Sequence, residues 1–163
     1  MEKYVQMLRE AGADDAMVID AATIQTAPWT VYKCQFGCGN YGQKYCCPPN
    51  APSYRETQAI IDCFSQAILF RVHAFHVITP MVLNVTAEMF RDGHYKTVGF
   101  GDCSCNLCTQ CSPNRCSHPG KALPSMEACG IDVFATVRAN GWTVHWMNTP
   151  DAEPELFGLI LVE

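Results

Sequence analysis

Thiols at short, regular gaps constrain a chain more than any hydrophobic pattern, because several of them held close together need a common partner. Five cysteines fall within fourteen residues here: Cys103, Cys105, Cys108, Cys111 and Cys116. The last four follow the spacing C-x2-C-x2-C-x4-C-x2-P, with Pro119 as the proline. Two-residue gaps wrap the backbone around a compact body and set successive thiolates on neighbouring metal atoms, as a cubane iron–sulfur cluster requires. Structural zinc is the plainer alternative, although it more often draws its four ligands from two separated pairs.

The run differs from the bacterial ferredoxin spacing C-x2-C-x2-C-x3-C-P by one residue before the fourth cysteine and two before the proline. A second cysteine stretch lies upstream, from Lys33 to Pro49, and holds Cys34, Cys38, Cys46 and Cys47. Gly37, Gly39 and Gly42 free its backbone to approach an inorganic body, and Pro48 and Pro49 stiffen its exit. It reads as a ligand loop, neither helix nor strand. Cys47 is favoured over Cys46 as a ligand because proline follows it, and side chains of adjacent cysteines diverge. The expected ligands are Cys34, Cys38, Cys47, Cys105, Cys108, Cys111 and Cys116, for two 4Fe–4S clusters or, alternatively, for zinc. The eighth ligand is open to Cys46, Cys103, Cys129 or a non-cysteine donor. Cys116 belongs either with its own run or, by analogy with two-cluster ferredoxins, with the upstream loop.

The other cysteines and histidines have plainer readings. Cys63, beside Phe64 on an apolar face, reads as a small buried hydrophobe. Cys129 reads equally as a core residue or as a thiol lowered by a helix start. His73 and His76 form H-x2-H without a carboxylate motif, so a metal role is the minor reading. His118 is either a donor to a cluster sulfur or solvated, and His94 and His145 read as structural. Lys33, Lys44 and Arg115 either offset thiolate charge or are solvated surface cations.

The chain has 163 residues, enough for one domain with a real core, and a single domain over 1–163 is expected. A formal net charge of −5 argues against nucleic-acid binding, which relies on basic residues neutralising phosphates. The amphipathic start Met1–Glu10 has no apolar core of a signal peptide, and no apolar run approaches a membrane span. Eleven cysteines without an export signal point to a reducing, cytoplasmic setting, where clustered thiols bind metal more often than they form disulfides.

Helical spacing and caps predict helices over 2–11, from Ser53 with Glu56 as a capping box, over 80–92, and over 126–139 capped by Ser125. Strands are expected at 16–20, 67–73, 95–100, 142–146 and 156–162, the last two as a hairpin. Pro28 limits regular structure between Ile24 and Tyr32. The order suggests an α/β domain: a small mixed sheet of about five strands with flanking helices and two cysteine-rich metal-binding loops. No nucleotide-binding loop, nucleophile elbow or H-E-x-x-H motif occurs.

Three segments resemble the signatures of a prokaryotic family of cysteine-rich predicted metal-binding proteins, a domain of unknown function. They are Lys33-Cys34…Gly37-Cys38…Tyr41-Gly42…Cys47-Pro48-Pro49, then Cys105-x-Leu107-Cys108-x2-Cys111-x4-Cys116-x-His118-Pro119, then Pro124-Ser125-Met126-Glu127-Ala128-x-Gly130-Ile131-Asp132-Val133. The resemblance covers nearly the whole chain. It implies metal binding, as iron–sulfur, in bacteria and archaea that are often anaerobes, with seven shared cysteines and with Cys46 and Cys103 outside the pattern. The expected function is electron transfer to or from a redox partner protein. The alternatives are an enzyme with an open cluster iron and a zinc-stabilised interaction module.

Overall fold

A computed structural model describes residues 1–145, 148–149 and 151–163. Its centre is a strand that is apolar on both faces. Leu156–Val162 (β4) reads Leu-Phe-Gly-Leu-Ile-Leu-Val, and all but its first residue are buried. Such a strand needs cover on both sides, and the rest of the chain supplies it. β4 lies between Gln66–Val72 (β2) and Thr97–Phe100 (β3), and Asp15–Asp20 (β1) pairs with the outer edge of β2. The order is β1-β2-β4-β3, and every pairing is antiparallel.

Among the described residues the sheet has four strands, all antiparallel, which corrects the expected mixed sheet of five. β2 and β3, joined by the helix Ile78–Arg91 (α4), run the same way, as a strand–helix–strand unit should. They do not touch, because β4 inserts between them. Residues 142–145 carry no strand, and Trp146, the end of the expected hairpin strand, lies outside the described residues. β4 finds its partners in β2 and β3.

Alternation along β2 and β4 divides the apolar residues between two cores. Ile68, Phe70, Val72, Ile160 and Val162 face α4 and the first helix, Glu2–Glu10 (α1). Ala67, Leu69, Leu159 and Leu161 face the opposite side, where Met126, Cys129, Ile131 and Val137 cover them. Each fully buried Leu, Ile or Phe contributes about 1.5–3 kcal/mol. Gly158 stands opposite Phe70 because nothing larger fits: a Cβ there would lie 2.1 Å from the Phe70 ring.

The capping box forms as expected. Ser53 accepts from the Glu56 N–H while Glu56 Oε2 accepts from the Ser53 N–H at 2.8 Å, starting Tyr54–Ile61 (α3). Such a cap is worth about 1 kcal/mol. Two helical expectations fail. Pro28 does not prevent a helix but begins one, Pro28–Gly37 (α2), at the first position, where a missing N–H costs nothing. The upstream loop is thus helical as far as Gly37. The expected helix over 126–139 is broken by Gly130 at φ +81° into a short 3-10 turn, Glu127–Cys129, and Val133–Ala139 (α5), which Asp132 caps.

These elements place the cysteine loops. Ala27 N–H donates to Gly130 C=O and Asp132 N–H to Gln25 C=O, both at 2.8 Å, docking the start of α2 on the 3-10 turn. The long excursion from 102 to 124 leaves and returns at one point, where Gly101 N–H donates to Pro124 C=O at 2.8 Å. Among the described residues no helix is long and apolar enough to cross a membrane.

Candidate metal centre

The cysteines fall into two groups. Cys34 lies in the last turns of α2, and Cys38 directly follows that helix. Cys47 returns from the turn beyond, closed by Gly42 N–H donating to Pro48 C=O at 2.8 Å. Gly42 has φ +69°, a conformation in which glycine carries no Cβ penalty. These three thiols border one cavity of about 200 Å3, and Cys103 of the downstream run lines it too. The second group is Cys105, Cys108, Cys111 and Cys116 around a much tighter pocket of about 10 Å3, with Cys46 on its wall. Cys116 thus lines the pocket of its own run and is not among the residues that line the upstream cavity. Adjacent Cys46 and Cys47 face different groups, as their diverging side chains require.

The two loops are tied to each other. Lys44 Nζ donates to Cys105 C=O at 2.7 Å, and Asn40 Nδ2 donates to Ser104 Oγ at 3.1 Å. The Tyr45 N–H donates to Cys111 Sγ at 3.5 Å, and the His118 N–H donates to Cys116 Sγ at 3.3 Å. Backbone N–H groups aimed at sulfur favour thiolate over thiol. His118 thus serves the run through its backbone.

The electrostatics are those of acidic groups crowded together. Burial, then Cys38 and Glu127, pushes the Cys34 thiol up. Burial, then Cys38 and Cys34, does the same to Cys47, and Lys44 works against the rise. Cys103 is raised by burial and by the carboxylates of Asp102 and Glu127. Cys108 is raised by desolvation and by Cys111, Cys105 and Cys116. Cys46 is pushed up to about 12 by burial and by the second group. A cationic centre reverses this repulsion, and it releases protons as it binds. Soft, clustered sulfur donors without a mixed first shell fit iron–sulfur or zinc and not a hard cation.

The remaining candidates separate cleanly. Cys129 is a core residue, buried, with its thiol pushed up to about 12 by burial. Cys63 is not buried: it lies beyond the end of α3, exposed, and its thiol donates to Ala59 C=O at 3.3 Å. His73 bonds the Pro154 carbonyl at 3.0 Å and does not join His76. His94 stacks edge-on against Tyr4, and His145 pairs with Glu155, so both are structural. Lys33 lies over the Trp29 ring at 5.0 Å. In the sequence Cys103 is one of several candidates for the eighth ligand, and its place in the run is the signal in its favour.

No curated protein and no solved structure gives a significant match to this chain. The family model described as predicted metal-binding protein (DUF2284) matches residues 17–162, and the chain belongs to that family.

Proposed function

We propose that this metal-binding protein carries two 4Fe–4S clusters and passes single electrons to or from a partner enzyme. The observation behind this reading is the division of the cysteines into two thiol groups that share the walls of one loop assembly. Cys105, Cys108, Cys111 and Cys116 would hold one cluster with four thiolates. Cys34, Cys38 and Cys47 would hold the other. The clusters supply one-electron redox chemistry. The chain's part is to fix the thiolates, to direct the Tyr45 and His118 N–H groups at sulfur, and to bring Lys44 close to the thiolate charge. Hydrogen bonds to sulfur and local charge both tune such a potential.

Protein purified without air should contain about eight irons per chain and show reversible one-electron signals. Zinc in place of iron, with no labile sulfide, refutes the proposal. A second reading, an enzyme acting at an open iron of the first cluster, is favoured by one observation. A mainly apolar cavity of about 340 Å3 opens beside Cys34 and Cys38, with Trp29, Glu127 and Phe134 on its walls. A small added ligand that perturbs one cluster's spectrum and leaves the other unchanged supports that reading over simple electron carriage.

A further inference from the structure

His76, Asp102 and Cys103 meet where the excursion from 102 to 124 begins. A ring nitrogen of His76, a carboxylate oxygen of Asp102 and the Cys103 sulfur all lie within 4.8 Å of one another. Asp102 is the informative member. It is only 9% exposed, and Oδ1 is fully engaged by Thr79, whose N–H and hydroxyl donate to it at 3.2 and 2.9 Å. Oδ2 is buried and has no hydrogen-bond partner. A buried carboxylate oxygen left bare is costly, so it calls for a cation or a donor. The triad itself holds no lysine or arginine: beside Asp102 it offers a histidine nitrogen and a thiol.

Thr79 plays the part that outer partners play around metal-bound carboxylates: it fixes one oxygen and so aims the other. His76 and Cys103 are the two non-glycine residues described with left-handed backbone, at φ +64° and +54°. Such conformations are uncommon outside glycine and gather at functional sites. His76 and Asp102 also line a cavity of about 600 Å3, bounded further by Leu83, Asn84, Leu107 and Lys121.

We propose that His76, Asp102 and Cys103 bind a single divalent metal ion of the borderline class typified by zinc, with a fourth position open toward this cavity. One nitrogen, one oxygen and one sulfur make a mixed set that suits such an ion better than calcium or magnesium. Three protein ligands with an open fourth position are the pattern of reactive sites, in contrast to the closed four-ligand pattern of structural ones. The site uses none of the seven cysteines assigned to clusters, although Cys103 also borders the three-cysteine cavity.

The test uses the full chain, prepared without air, equilibrated with zinc and freed of loosely bound metal. Iron, sulfide and zinc are measured together. The expected result is one zinc per chain that His76→Gln and Asp102→Asn each remove while iron stays unchanged. X-ray absorption at the zinc edge should show one sulfur among nitrogen and oxygen neighbours. His76 is exposed, so its substitution remains readable even if Asp102→Asn fails to fold. Absence of zinc from the wild type, zinc that survives both substitutions, or an all-sulfur shell would overturn the proposal. Loss of iron in Cys103→Ser, with no zinc in the wild type, would assign Cys103 to the first cluster instead. Should the cysteine groups themselves hold zinc, the cluster reading fails. The triad is then still read by difference, because His76→Gln must lower zinc by one.

Discussion

Gly130→Ala is the substitution on which the link between fold and site depends most directly. Gly130 has φ +81°, and a Cβ built there meets Tyr54 Cβ at 2.4 Å, Cα at 2.6 Å and N at 3.0 Å. Left-handed backbone costs a residue with Cβ about 1–2 kcal/mol. The contact adds about 1–3 kcal/mol of overpacking, because Tyr54 opens α3 and its backbone cannot swing aside as a side chain could. The sum, about 2–5 kcal/mol, is a large part of a stability of about 5–15 kcal/mol. At about 2–4 °C per kcal/mol for a chain of this size, Tm should fall by roughly 4–20 °C. Gly141→Ala is the control. Its φ is +83°, yet nothing lies within 4 Å of the added Cβ, so it carries the backbone cost alone. Thermal unfolding without air, followed by far-ultraviolet circular dichroism at one scan rate, compares the two. Gly130→Ala should fall clearly further, and it should also hold less metal, since the Gly130 carbonyl anchors the start of α2. Equal melting of the two variants would refute the tight contact between Gly130 and α3, and with it this account of how α2 is held.

Two further outcomes follow from the site and the sheet. Cys34→Ser should cost the metal of the first group only and Cys108→Ser that of the second, read as loss of about half the iron in each and as different residual spectra; loss of all the iron in both would mean a single shared site. Burial works to raise the Glu155 carboxyl, but the His145 N–H and ring and the Arg71 guanidinium outweigh it, and the group titrates below its usual range. A depressed carboxylate stabilises the fold above its unfolded pKa, and that contribution is lost as pH falls through the folded value. Glu155→Gln should therefore lower Tm at neutral pH, and the gap to wild type should close in acid; a gap that persists unchanged in acid contradicts the pairing with Arg71.

Local chemistry in the sequence is enough to read several elements. Ser53 and Glu56 announce α3, and the apolar run 156–162 announces a buried strand, because caps and burial patterns are written in neighbouring residues. Pro28 misleads, since the same residue breaks a helix from within and begins one at its first position. Gly130 misleads too: a helical apolar pattern runs across it, and only the proximity of Tyr54 reveals the break. Strand order is illegible because β4 reaches its place between β2 and β3 through long-range pairing that no local pattern encodes. In the site, spacing marks out seven candidate cysteines, while which of them lie together depends on how two loops meet. Asp102 gives no signal at all. Its character comes from Thr79, far away in sequence, taking one oxygen and leaving the other bare.

Cys46 and Cys47 are consecutive and buried, yet they border different thiol groups. Consecutive α-carbons are about 3.8 Å apart, so the partition between the groups is a single peptide unit thick at that point. Charge placed on one side is felt on the other through a medium that screens poorly. Loaded with clusters, the two centres would titrate as a pair, the first electron making the second harder to add. With clusters in both groups, the Cys46–Cys47 peptide would make a two-step accumulator out of what would otherwise be two independent one-electron carriers.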